Sequence, residues 1–226
     1  MCGVFGFVGY DGAGPNLSRL QAIAKNTMTR GPHAFGFAWI DSRNRLKMYK
    51  RAGRITDHLD LLALAADAKM FIGHCRYATH GDPADLINNH PHPADGGWVV
   101  HNGVIGHHGA INARNGFVPV SECDSESLAM LIENGAGSLA DRCRDAVVEA
   151  HRSPLVMLGL WNRPARLVLA RAGNPLSIGK CKNGRFYFAS LPDKLPGEVS
   201  DVEDGSVWEF SATKLRRVAR LVGAGV

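Results

Sequence analysis

The 226-residue chain is sparing with cysteine, and the five it has are poorly arranged for cross-linking. Cys2, Cys75, Cys123, Cys143 and Cys181 are scattered, odd in number and free of any CxxC spacing. That argues against a disulfide framework or a zinc knuckle and fits a reducing, cytoplasmic setting. No apolar run reaches the length of a membrane span. The first residues lack a basic stretch followed by a long apolar one, so no secretory signal is read. A GxxxxGK[ST] phosphate loop is missing, and so is HExxH. Ten histidines still invite a metal. His90-Pro91-His92 and His107-His108, however, are sequence neighbours, which rarely converge on one ion, and the expectation is no metal.

Basic residues are in slight excess, with a net charge of +5. The arginines are thinly spread, apart from Lys214-Leu215-Arg216-Arg217 with Arg220. This reads as a solvated basic tail rather than a nucleic-acid surface. With 45% hydrophobic and 21% charged residues, the composition suits one soluble domain over residues 1–226.

Periodicity supplies the elements. Val4–Tyr10 reads as a strand closed at Asp11-Gly12. Asn16–Thr29 has Leu17, Leu20, Ile23 and Ala24 at helical spacing and stops at Arg30-Gly31-Pro32. Ala34–Asp41 and Arg45–Arg51 form a hairpin about Ser42-Arg43-Asn44. Asp57–Ala68 is a predicted helix, Lys69–Arg76 a strand, Tyr77–Pro93 a polar stretch and Trp98–Ile105 a further strand. Asp124–Glu133 and Ala140–Ala150 are predicted helices. The remainder is strand-rich, with Leu155–Trp161, Leu167–Ala172, Leu176–Gly179, Arg185–Ala189 and Val207–Phe210 joined by hairpin-length gaps. Strand blocks with inserted helix groups point to an α+β fold of antiparallel sheets with helices outside.

Four places can carry chemistry. If the initiator methionine is removed, Cys2 joins a thiol to a free α-amine, a nucleophile with its own base. On its own, position 2 reads first as an ordinary small buried residue, and the downstream residues reverse that. Gly73–Gly81 is a dense polar cluster after a strand, where Arg76 can grip a carboxylate through paired hydrogen bonds or serve a surface salt bridge. Asn102-Gly103 offers a side-chain amide beside an unobstructed backbone N–H, suited to an oxyanion, although Asn-Gly is also a common hairpin turn. Asp124 opens a helix, as an N-cap or as a receptor for an ammonium group.

Taken in order, the blocks Met-Cys-Gly-Val-Phe-Gly, Arg30-Gly31-Pro32-His33, Gly73–Gly81, His90-Pro91-His92, Val99–Ile105 and Cys123-Asp124-Ser125-Glu126 resemble the class II glutamine amidotransferases. These are N-terminal-nucleophile glutaminases, and the likeness is in particular to the glutaminase domain of glucosamine-6-phosphate synthase. It extends to Ala170–Leu176 and Asp204–Val207. The resemblance implies a four-layer αββα sandwich and hydrolysis of the L-glutamine side-chain amide, with no metal or organic cofactor. It implies that Cys2 is the nucleophile and that Asn102 and Gly103 form the oxyanion hole. Arg76 would hold the substrate carboxylate, with Thr79 and His80 lining that pocket, and Asp124 the substrate ammonium. Arg30 would support Asn102.

The chain departs from the family pattern at His33, often Asp; at Cys75, often Thr; and at Cys123 and Ser125, both often Thr. The resemblance also consumes the chain, so the ammonia acceptor is expected to be a separate synthase subunit. No membrane partner is expected, and an oligomer of identical chains is compatible with the sequence. Two other readings stay open: a related amidohydrolase acting on another γ-glutamyl or amide compound, and a catalytically idle domain serving as a structural component.

Overall fold

The computed structural model describes residues 1–211 and 214–221. Strand β1 (Gly3–Gly9) leads into helix α1 (Leu17–Met28), followed by the hairpin β2 (Ala34–Ile40) and β3 (Leu46–Ala52). A 3-10 segment over Ile55–Ala65, broken at His58, precedes β4 (Met70–Arg76). Then come β5 (His92–Ala94), β6 (Gly97–Asn102), α2 (His108–Asn115), α3 (Ser125–Asn134) and α4 (Leu139–Ala150). Strands β7 (Leu155–Asn162), β8 (Ala165–Ala172), β9 (Ser177–Lys180), β10 (Arg185–Ala189), β11 (Glu198–Asp201), β12 (Ser206–Ser211) and β13 (Leu215–Arg220) complete the chain.

The strands form two antiparallel sheets. One has the order β11-β9-β10-β1-β4-β2-β3, the other β13-β12-β8-β7-β6-β5. Side-chain parity sorts the layers, because alternate residues of a strand face opposite sides. From β1, Val4 and Val8 enter a central cluster with Ile72, Val100, Val156, Leu158 and Leu169, which belong to both sheets. Phe5 and Phe7 face the other way, onto Leu20 and Ile23 of α1 and Leu62. On the second sheet Met157 and Val168 turn outward onto Leu128, Ile132 and Val147 of α3 and α4. The result is the expected four-layer αββα sandwich. Strands β1, β4 and β2 are buried on both faces and so read as nearly continuous apolar runs.

Caps set the helix starts. Asn16 accepts from the Arg19 N–H, and Ser138 with Asp141 makes a capping box at α4. The structure differs from the sequence expectation at the C-terminus. Lys214–Arg220 is no solvated tail, since Leu215–Arg220 pairs with β12. Its arginines are partnered: Arg216 with Glu209, and Arg217 and Arg220 with Glu203. The helix expected over Asp57–Ala68 is instead the kinked 3-10 segment.

Candidate active site

Cys2 sits just before β1, whose Gly3 pairs with Cys75 of β4, so it lies beside Arg76. Its sulfur accepts from the Tyr77 N–H at 3.3 Å and lies 3.5 Å from the Tyr77 carbonyl. Gly3 is needed next to it: a Cβ there would stand 2.6 Å from Cγ2 of Thr27. Burial raises the Cys2 thiol above its ordinary value. The Tyr77 backbone, the chain-terminal amine and the Arg76 charge pull it down, and Asp124 pushes it up.

Two hydrogen bonds bring the other candidates to this end of the sandwich. His74 Nε2 of β4 meets the His101 carbonyl of β6 at 3.0 Å, bridging the sheets. His101 Nδ1 in turn meets the Ser125 hydroxyl of α3 at 2.9 Å. Arg76 follows His74 by two residues, Asn102 follows His101 by one, and Asp124 precedes Ser125. The bridge thus gathers Arg76, Asn102 and Asp124 from three elements. All three are at least 96% buried. The His74 imidazole is held neutral, its pKa pushed down to about 3 by burial and the neighbouring His101. Neutral His74 must donate from Nε2 to a carbonyl.

Each predicted residue now has a place. The Asn102 carbonyl accepts from Asn174 Nδ2 at 2.8 Å, while its own buried amide nitrogen has no partner. A buried donor left open is uncommon, and this one is available to an incoming acceptor. Gly103 is not a left-handed turn residue. It is required by close approach, since a Cβ would lie 2.7 Å from His101 Nε2 and 2.9 Å from the Pro154 carbonyl. Asp124 makes no cap bond to its own helix. Its carboxylate accepts from the Ile105 N–H at 2.6 Å.

Arg76 donates to Asn89 Oδ1 at 2.8 Å and to the carbonyls of His80 and Gly81. Thr79 is exposed, and its hydroxyl meets His80 Nδ1 at 3.2 Å. His80 reaches Arg76 through its backbone only, with its ring edge-on to His108. Arg30 differs from expectation: its Nε donates to the Cys2 carbonyl at 2.8 Å, and the Asn102 backbone is held by Asn174 instead.

Sequence reasoning missed Asn174, Asn89 and Ser190. Ser190 accepts from the Val4 N–H at 3.0 Å and steadies the start of β1. Asn174 lay within a stretch already noted for its likeness, and its side-chain amide was the available signal. A cleft of about 600 Å³ lined by Asn44, Arg45, Trp161 and Arg163 is elsewhere. Register puts Ile40 opposite Met70 and Ala34 opposite Arg76, so that cleft sits at the far strand ends.

His90, His92 and Cys123 present ligand atoms within 4.8 Å of one another, all buried. The cysteines are all free thiols, as the scatter implied. Among the described residues no helix is long and apolar enough to cross a membrane.

No protein-family model matches the chain. Curated relatives do. It is 33% identical to the glutamine–fructose-6-phosphate aminotransferase [isomerizing] of Vibrio cholerae, over 79% of this chain and 30% of that protein. It is 32% identical to the protein of that name from Symbiobacterium thermophilum, over 93% of this chain and 35% of the relative. The chain therefore spans about a third of the length of these relatives. Among solved structures, the Bacillus subtilis glutamine phosphoribosylpyrophosphate amidotransferase superposes with a TM-score of 0.81 at 22% identity, covering 97% of this chain and 49% of that one. A glutamine aminotransferase class-II domain protein from Silicibacter pomeroyi gives 0.63 at 16% identity, covering 96% and 98%. By sequence kinship and by fold, the chain belongs to the class II glutamine amidotransferases.

Proposed function

We propose that this chain is the glutaminase component of an amidotransferase: it hydrolyses the side-chain amide of L-glutamine and passes the ammonia to a separate acceptor enzyme. The observation that carries the reading is the His74–His101–Ser125 bridge, which sets Arg76, Asn102 and Asp124 around one end of the sandwich beside Cys2. A guanidinium and a carboxylate, both buried, complement the two charged ends of a free amino acid.

Trimming of Met1 frees the Cys2 amine. That amine takes the thiol proton as sulfur attacks the amide carbon. The carbonyl oxygen, now negative, is met by Asn102 Nδ2 and the Gly103 N–H; one such donor is worth about 3–4 kcal/mol. The C–N bond then breaks, the proton passes to the leaving nitrogen, and ammonia departs. Water cleaves the γ-glutamyl thioester to glutamate and restores the thiol. No step draws on a cofactor. Thr79 and His80 shape the pocket rim, and Arg30 orients Cys2 through its carbonyl. Free thiols throughout support a cytoplasmic setting.

The test is glutamate release from glutamine by the purified chain and by Cys2→Ala, with γ-glutamyl peptides in parallel. Activity is expected with glutamine and lost in the variant. Undiminished turnover by Cys2→Ala, or a preference for the peptides, would displace this reading.

A further inference from the structure

The glutaminase chemistry makes no use of His90, His92 and Cys123. His90 and His92 belong to a strap that runs across the backbone of β2. Gly36 makes room for it, since a Cβ there would meet the His90 carbonyl at 2.1 Å. His90 is 3% exposed and His92 2%, yet both ring nitrogens of His90 and Nε2 of His92 lack any hydrogen-bond partner. Their rings are set edge-on, with centroids 4.8 Å apart. Cys123, 6% exposed, closes the group from just before α3.

Three orphaned nitrogens in a protein interior are costly unless they bind something. A hydrogen-bonded water would satisfy one or two of them. A thiol on the third side changes the donor set to two imidazoles and a sulfur, which suits borderline divalent cations of the zinc type. Ligands on a tetrahedral ion with bonds of about 2.0–2.3 Å stand roughly 3.5 Å apart. The observed limit of 4.8 Å therefore closes with side-chain rotations of about an ångström. Burial keeps both imidazoles neutral, the form that ligates. The nearby charges also permit a cation, because Arg76 and Lys50 are offset by Asp124 and Glu126.

We propose that His90, His92 and Cys123 form a binding site for a zinc-class divalent cation, with water as the fourth ligand. On binding, the Cys123 S–H proton leaves to solvent and the sulfur–metal bond replaces a metal–water bond. The ion ties the strap to the residue preceding Asp124, a tether between two segments that flank the glutamine pocket.

Cobalt(II) is the probe, titrated into chelator-treated full-length chain. One equivalent should bind and give a sulfur-to-cobalt charge-transfer band in the near ultraviolet. The band should persist in Cys2→Ala and vanish in Cys123→Ser. His90→Gln or His92→Gln should weaken binding by roughly 10- to 100-fold or more. The proposal is overturned if the wild-type chain takes up no cobalt, even when refolded with it. It is equally overturned if the band survives in folded Cys123→Ser or disappears in Cys2→Ala. Should Cys123→Ser fail to fold by circular dichroism, X-ray absorption at the cobalt edge of the wild-type chain decides. One sulfur and two imidazole nitrogens support the site, and a shell without sulfur rules it out.

Discussion

The Asp124 carboxylate accepts a hydrogen bond from the Ile105 N–H at 2.6 Å rather than capping the helix it precedes. The bond spans from α3 to the loop after β6 and fixes the acid next to the Asn102-Gly103 segment. It also leaves carboxylate lone pairs free, since a carboxylate can accept about four hydrogen bonds.

Asp124→Asn preserves an oxygen acceptor for Ile105 but removes the charge that would receive the substrate ammonium. The variant should fold, with KM for glutamine raised by roughly 10- to 150-fold, the equivalent of about 1.5–3 kcal/mol for a charged hydrogen bond. Steady-state kinetics decide; an unchanged KM would remove Asp124 from the pocket.

Asn174 is a positioning residue in this site. Its amide nitrogen holds the carbonyls of Asn102 and Pro154, each at 2.8 Å. Loss of a direct oxyanion donor costs about 10²–10³ in kcat, so Asn102→Ala should fall in that range. Asn174→Ala should cost less, roughly tenfold, with KM little moved. A purely structural role would lower the melting temperature and leave kcat of the folded protein intact. Measuring both quantities separates the two roles.

The sheets were legible because buried strands on both faces leave long apolar runs, as in Val4–Val8 and Met70–Ile72. The Cys2, Arg76, Asn102 and Asp124 set was legible as motifs, but its convergence was not. That depends on the His74–His101–Ser125 bridge between sheets, and hydrogen bonds across 24 to 27 positions leave no periodic trace. The C-terminal strand was hidden for a different reason. Arg216, Arg217 and Arg220 look like a tail until Glu203 and Glu209 supply their partners on and beside β12. Helix α2 escaped because its mixed sequence, HGAINARN, buries only Ile111 and Asn112.

Lys50 gives a pH signature of folding. Burial lowers its pKa to about 8, against opposing contributions from Cys123 and Glu126. The unfolded chain binds that proton up to a pH of about 10.4. Between these values the unfolded state holds more protons, so this residue's cost to stability is present below pH 8 and relieved as pH rises. Lys50→Met should be more stable than wild type at pH 7, and the gap should shrink by pH 10. Urea unfolding of both proteins at both pH values tests this, and a pH-independent gap would refute it.

The chain start carries the sharpest kinetic expectation. With Met1 present, the terminal amine is not on Cys2, and burial holds the thiol above its usual range. Such a chain has a nucleophile that is mostly protonated and lacks its adjacent base. General-base assistance is worth about 10²–10⁴ in rate. A form carrying an N-terminal extension that a protease can trim to Cys2 should therefore be slower by that factor, and trimming should restore it. Arg76 and Asp124 are untouched by the extension, so the deficit belongs in kcat. Equal turnover before and after trimming would show that some other group takes the thiol proton. The buried histidines are poor substitutes, because His74 is neutral and already donates to the His101 carbonyl.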